Sequence, residues 1–188
     1  GNAFLAARVA AFNPAVTVVP TSVDAARYRV AANRPSDRLD LVWIGSHSTR
    51  KYLADAMPWL QEAAKAVPGL RLKIVADFDL PVCGVATLPV AWHADSEARE
   101  LAASHIGIAP MRDDDWSRGK CALKVLQYMA AGLPVVSTPG EWSDRIARLA
   151  NDAWLCRQMG ETGRRRVETD YSLGPVFERL RCVIAGLA

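Results

Sequence analysis

Residues 117–136, SRGKCALKVLQYMAAGLPVV, read as a loop, a helix, a tight stop and a buried strand in immediate succession. That order commits the chain to strands and helices that alternate and stack. The stop is the Ala-Gly-Leu-Pro stretch at 131–134, because glycine closes a helix readily and proline cannot continue one. Within the helix, Lys120, Lys124, Gln127 and Ala131 recur at the spacing of a single face, and Cys121, Leu123, Val125, Leu126, Tyr128 and Met129 cover the rest. Two ammonium groups are therefore expected on one otherwise small face. Ser117 is expected to cap this helix, Gly119 to admit a close approach at its first turn, and the free N–H groups there to favour an anion. Such a face would seat a diphosphate.

The rest of the chain has the same rhythm. A short helix is expected over 4–12, then a β-branched run at 16–19 and mostly connection from 20 to 35. The strand at 39–44 ends at Gly45, and Ser46-His-Ser-Thr49 leads into a helix over about 50–66 that Pro68-Gly69 terminates. Further strands are expected at 72–75, 86–92 and 105–109, with a helix at 96–103. After Val136 the alternation ceases, and 141–188 reads as a helical tail broken near Gly160 and again near 171–175. The fold class that follows is α/β: a Rossmann-like parallel sheet with helices on both faces, whose ligand sits at the carboxyl ends of the strands.

Composition narrows the function classes. With 23 basic and 20 acidic residues the formal charge is only +3, too even to argue for a nucleic-acid partner. The dense basic run Arg164-Arg-Arg166 reads as a solvated helix end. Cys83, Cys121, Cys156 and Cys182 are widely spaced with no paired-cysteine or histidine ladder, which suits four reduced thiols in a cytoplasmic protein. No apolar run approaches the ~20 residues that span a bilayer.

The residues also carry a resemblance. The apolar helix closed by AAGLPVV at 130–136 resembles the donor-binding segment of the retaining GT-B glycosyltransferases, the bacterial group 1 enzymes that use nucleotide sugars. Residues 19–24, VPTSVD, are similar to that family's interdomain segment, and 43–46, WIGS, to its phosphate-loop strand. Residues 106–110 and 159–164 match in order, so the resemblance covers nearly the whole chain. It implies one domain over 1–188, the C-terminal nucleotide-sugar-binding half of a GT-B enzyme. Residues 1–35 would lead in from an N-terminal domain that holds the acceptor and often a catalytic histidine. The full protein would be a hexosyltransferase in the cytoplasm or at the inner membrane face, with peripheral membrane association open to it, and the isolated domain would be inactive.

The chemistry follows from the leaving group. Departure of a nucleotide diphosphate calls for fixed positive charge and N–H dipoles, and lysines can supply these with no cofactor and no metal. Lys120 and Lys51 are the candidates for that role; Lys51 lies six residues beyond Gly45, the spacing that the resemblance implies for a phosphate-binding lysine. Gly45, Ser46, Thr49, Arg118, Gly119, Lys124 and Gln127 are the candidate donor-binding residues. Two alternatives remain for Lys124, a second contact to the ligand or an ion pair with the Asp113-Asp-Asp115 loop. Trp92 could stack on a nucleobase, although a core or rim role is commoner for tryptophan.

The chain also departs from the family. Gln127 stands where a glutamate commonly receives the ribose hydroxyls, and the companion glutamate eight residues earlier is Gly119. A stretch that usually follows the Ser-Thr-Pro region is absent between Gly140 and Glu141, which reads either as a natural deletion or, the favoured reading, as an omitted loop. Two other functions therefore stand beside the transferase: a nucleotide-sugar epimerase or hydrolase on the same fold, and a non-catalytic assembly or regulatory module.

Overall fold

The computed structural model describes residues 1–32, 34–81, 83–137 and 141–186. Five strands, β1 (Leu39–Ile44), β2 (Leu70–Ala76), β3 (Ala86–Ala91), β4 (Ile106–Ala109) and β5 (Val135–Ser137), form one sheet. Its order is β3-β2-β1-β4-β5 and every pairing is parallel. The chain winds outward from β1 in one direction and then returns to β4 on the other side. The β1–β4 boundary is therefore the point where the winding reverses, and the crevice outside the carboxyl ends of those two strands is where such sheets take ligands.

Alternation along β1 explains why both faces are covered. Leu41 and Trp43 point to one side, onto α2 (Arg50–Asp55), α3 (Met57–Ala66) and α7 (Trp142–Asn151). Val42 and Ile44 point to the other, into a cluster with Leu101 of α4 (Ala94–Ala102) and Leu126 and Tyr128 of α6 (Leu123–Ala130). Helix α1 (Ala3–Ala10) rests on the short α5 (Asp115–Gly119), and the tail consists of α8 (Ala153–Arg166), a π-helical turn at Val167–Tyr171 and α9 (Leu173–Ala185). No helix among the described residues is long and apolar enough to cross a membrane.

Tyr128 joins α6 to the sheet at the reversal point. The β1–β4 pairing runs through Leu41↔Ile106 and Val42↔Gly107. Two residues further along β1, the Ile44 N–H donates to the Tyr128 hydroxyl at 2.9 Å instead. The side chain packs directly on Gly107, where an added Cβ would come within 2.4 Å of Tyr128 Cγ. Burial and the negative charge of Glu97 push the Tyr128 phenol upward, against the Ile44 contact, so it stays neutral.

Several sequence expectations need correction. The helix expected over 50–66 is two, separated at Ala56, with Pro58 in the first turn of the second. The β-branched run at 16–19 is not a strand; the lead-in segment forms a bridge from Val23 to Ser172 in the tail instead. Gly160 does not break the tail, because α8 runs straight through it. The glycine instead lets α8 lie against the end of α6, where a Cβ would sit 2.3 Å from the Gly132 carbonyl oxygen. Arg164 is not a solvated helix end either: its Nη1 donates to the carbonyl oxygens of Tyr28, at 2.7 Å, and of Ala130, closing the last turn of α6. The short connection at 138–140 lies outside the described residues.

The Tyr128 contact yields a stability test. Gly107→Ala should lower the urea midpoint by an amount equivalent to ~1–3 kcal/mol or more, the range for overpacking a filled core. Gly174→Ala, whose Cβ meets nothing within 4 Å, should leave the midpoint unchanged or raise it slightly. Equal effects from the two would mean that Gly107 is not held against Tyr128.

Candidate functional site

A cleft of about 1170 Å³ runs along the carboxyl edge of the sheet. Its walls come from the ends of β1 (Gly45, Ser46) and β4 (Pro110, Met111), the start of α6 (Leu123, Lys124) and, at the far end, Trp92 and Glu97. It exceeds the ~300–1000 Å³ of ordinary small-molecule sites and so has room for a multipart ligand.

Lys120 and Lys124 both line this cleft, but they arrive by different routes. The helix expected to begin near Ser117 is interrupted. Helix α5 stops at Gly119, Lys120 has an extended backbone, and α6 starts only at Leu123, after Ala122 in the left-handed region at φ 49°. Ser117 caps nothing; its N–H donates at 2.7 Å to Asp114, which is the true cap of α5. The Ser117 hydroxyl oxygen is buried with no hydrogen-bond partner among the described residues. Gly119 has only ordinary contact above it, Leu5 of α1 at 3.5 Å from an added Cβ, so no close approach requires a glycine there. A non-glycine residue at positive φ costs ~1–2 kcal/mol, and Ala122 incurs that cost at the cleft wall.

The kink serves the cations. No side chain caps α6, so its first N–H groups are open toward the cleft. Lys124 Nζ lies over the Trp43 ring at 4.4 Å from the centroid and donates to Thr49 Oγ1 at 3.1 Å. Lys120 Nζ sits between the rings of Tyr52 and Trp116, at 5.3 and 5.6 Å. Neither lysine pairs with the aspartate loop. Asp113 takes Arg118 at 2.8 Å, Asp114 caps α5, and Asp115 pairs with Arg8. The three carboxylates are thus neutralised or occupied locally, and no group of three metal-ligating side chains converges among the described residues.

Gly45, Ser46 and Thr49 line the cleft, and the loop that carries them uses several of its own donors internally. The Gly45 N–H donates to the Val75 carbonyl at 3.1 Å, the Ser46 N–H to Thr49 Oγ1 at 3.2 Å, and the Thr49 N–H to the Ser46 carbonyl at 2.9 Å. These three donors are already used within the protein. Gly45 is required by a neighbour: a Cβ there would fall 2.2 Å from the Trp43 indole. The loop's contribution is to hold Trp43 and Thr49 under Lys124. Lys51 of α2 lies over the same Tyr52 ring, at 5.1 Å, and is not among the residues that line the cleft. Arg118 lines it, already paired with Asp113.

At the other end, Gln127 Nε2 donates to Glu97 Oε1 at 2.8 Å and to the Tyr28 hydroxyl at 3.0 Å. Tyr28 donates to the same Glu97 oxygen at 2.7 Å, and Trp92 Nε1 donates to Glu97 Oε2 at 2.8 Å. Burial, reinforced by Glu97, pushes the Tyr28 phenol up to about 12. Sequence reasoning missed Glu97 altogether. It sits among charged residues in the first turn of an amphipathic helix, where nothing in the pattern marks it as buried.

Burial, together with the nearby Lys120 charge, draws the Lys124 pKa down from 10.5 to about 8. At ~1.4 kcal/mol per pH unit, holding the charge there costs the fold up to ~3 kcal/mol. The pKa is lower folded than unfolded, so this cost applies in full below about pH 8 and fades as pH rises toward 10.5. An anion in the cleft stabilises the protonated form and reverses the sign for binding. Inorganic pyrophosphate affinity should therefore fall as pH rises through about 8, with proton uptake on binding. Lys124→Met should raise the unliganded melting temperature by several degrees, at ~2–4 °C per kcal/mol, while weakening pyrophosphate tenfold or more. A pH-independent affinity, or a variant less stable than the parent, would contradict this account.

Residues 9–159 match the model of the family described as "Glycosyl transferases group 1". No curated protein matches the chain at a significant level. Among solved structures, TarM superposes with a TM-score of 0.63 at 12% identity, over 85% of this chain and 37% of that one. A mutant of S. aureus TarM, in complex with Fondaparinux, alpha-GlcNAc-glycerol and UDP, gives 0.61 at 12% identity over the same shares. WaaG, a glycosyltransferase involved in lipopolysaccharide biosynthesis, gives 0.62 at 14%, over 87% and 55%. The C-terminal domain of LpcC, a group 1 family protein from Francisella tularensis, gives 0.59 at 16%, over 81% of this chain and 100% of that domain. The chain thus spans 37% of the length of TarM and 55% of WaaG, and it has the fold of one half of a GT-B enzyme. It belongs to the group 1 glycosyltransferases.

Proposed function

We propose that this chain binds the nucleotide diphosphate sugar donor of a glycosyltransferase whose acceptor is held by a second, N-terminal domain. The observation that carries this reading is the uncapped start of α6 at the β1–β4 reversal point, flanked by the ammonium groups of Lys120 and Lys124. The UDP bound in the TarM complex supports the same ligand class.

In this reading the bond between the anomeric carbon and the diphosphate oxygen breaks, and negative charge grows on the departing diphosphate. Lys120 and Lys124 meet that charge, together with the first N–H groups of α6. The site is fixed in advance and so needs little reorganisation as the bond breaks. These cations make a metal ion unnecessary for the leaving group. Transfer proceeds with retention at the anomeric carbon, and hexosyl transfer requires the complete protein. Lys51, outside the cleft, contributes through long-range charge.

Calorimetric titration with UDP, GDP and their sugar conjugates tests the assignment. Lys120→Ala should weaken the preferred nucleotide by ~1.5–3 kcal/mol, the worth of a charge-assisted contact, and Lys51→Ala by less. Equal losses would return Lys51 to the phosphate site. Failure of the folded chain to bind any nucleotide would favour the non-catalytic module.

A further inference from the structure

The cleft has opposite charges at its two ends. Lys120 and Lys124 make one end positive; the other carries Glu97, only 7% exposed, whose carboxylate no lysine or arginine pairs among the described residues. Its three partners, Tyr28, Gln127 and Trp92, are neutral donors. A carboxylate offers about four acceptor positions, and three are filled: two on Oε1 and one on Oε2. One position on Oε2 remains, on a residue that lines the cleft. A ligand complementary to this arrangement has an anionic end and, beside it, a hydroxyl end.

The spacing fits one ligand class. Lys124 and Gln127, the α6 partner of Glu97, are rooted three residues apart on α6, about one turn or ~5 Å between their backbone positions. That is about the reach from a ribose to the phosphates it carries. Beyond Glu97, Trp92 stands at the end of β3, 47% exposed, with its ring N–H fixed on Glu97 Oε2. A ring held by its edge keeps a face available to stack on a base, an interaction that tolerates any nucleobase.

We infer that Glu97 and Trp92 form the nucleoside end of the donor site: Glu97 accepts a hydrogen bond from the ribose 2′,3′-hydroxyls, Trp92 stacks on the base, and Gln127 only positions Glu97. The inference rests on the donor-binding reading above. It makes α4, not α6, the source of the ribose-binding carboxylate, and it makes selection for ribonucleotides a property of Glu97.

The test measures binding of UDP, GDP, their 2′,3′-dideoxy counterparts and inorganic pyrophosphate to the 188-residue chain. The parent should prefer the ribonucleotide over its dideoxy form at least tenfold. Glu97→Gln should abolish that preference by lowering ribonucleotide affinity to the dideoxy level, with pyrophosphate affinity unchanged within twofold. Trp92→Ala should weaken both nucleotide forms tenfold or more and spare pyrophosphate. Should Glu97→Gln fail to fold, Glu97→Asp withdraws the carboxylate by one methylene and should reduce the ribose preference in the same way. Nucleotide binding with no preference for the 2′,3′-hydroxyls would overturn this inference and leave the donor site standing, as would a Glu97 variant that weakens pyrophosphate and nucleotide in parallel. A parent that binds neither pyrophosphate nor any nucleotide would overturn the donor reading as well.

Discussion

The hydrogen bond from the Ile44 N–H to the Tyr128 hydroxyl is the contact on which the geometry of the cleft depends. Parallel strands must part where the winding reverses, and the separation leaves main-chain donors without a strand partner. Here the pairing of β1 with β4 ends at Val42 and Gly107, and the next inward-facing donor on β1 is taken by a side chain from α6. The same ring fills the space above Gly107 that any larger residue would occupy. One residue thus satisfies the parted sheet and fixes the height and rotation of α6 over the crevice. Lys124, one turn before it, and Gln127, beside it, inherit their positions.

Around that anchor the protein accepts local costs. Ala122 holds a left-handed backbone, Lys124 keeps a charge in a half-dry wall, and Glu97 is paired with no lysine or arginine among the described residues. Each is unfavourable to the unliganded fold and each faces the same cleft. A residue selected for packing would have relieved these costs: glycine at 122, an apolar side chain at 124, a neutral one at 97. Their common direction is what distinguishes a binding site from an accidental groove, since a nucleotide brings negative charge to the lysines and hydroxyl donors to the carboxylate.

The sheet was legible because its strands are short apolar runs bounded by glycine and proline, and β1 falls at the residues that its pattern predicts. The doubly covered architecture follows from strand and helix alternation alone. The kink at 120–122 was hidden because Lys120, Lys124, Gln127 and Ala131 also fit one uninterrupted helical face; the periodicity is the same whether or not the chain breaks between the first two. Gly160 was misread as a helix break, and the reason for Gly45 was not visible either. Glycine in a sequence signals backbone freedom, whereas these two are required by what lies above them, the Trp43 indole and the Gly132 carbonyl. Arg164 was hidden inside a run of three arginines that pattern cannot distinguish. Only the fold shows that this one reaches the carbonyls of Tyr28 and Ala130.

Glutamine at 127, read from the sequence as a loss, has a reason in the fold. Its amide nitrogen lies 2.8 Å from Glu97 Oε1, so a glutamate in the same rotamer would set two like-charged carboxylates in contact. With Glu97 buried in α4, the neutral amide is the side chain of matching length that can donate to it. The two positions therefore form one unit with a single negative charge, and this protein carries that charge on α4. A change at either position alone would leave a like-charge pair or an unpaired donor in the wall of the cleft. Replacing Glu97 and Gln127 together by glutamine and glutamate would move the charge back to α6 without adding one.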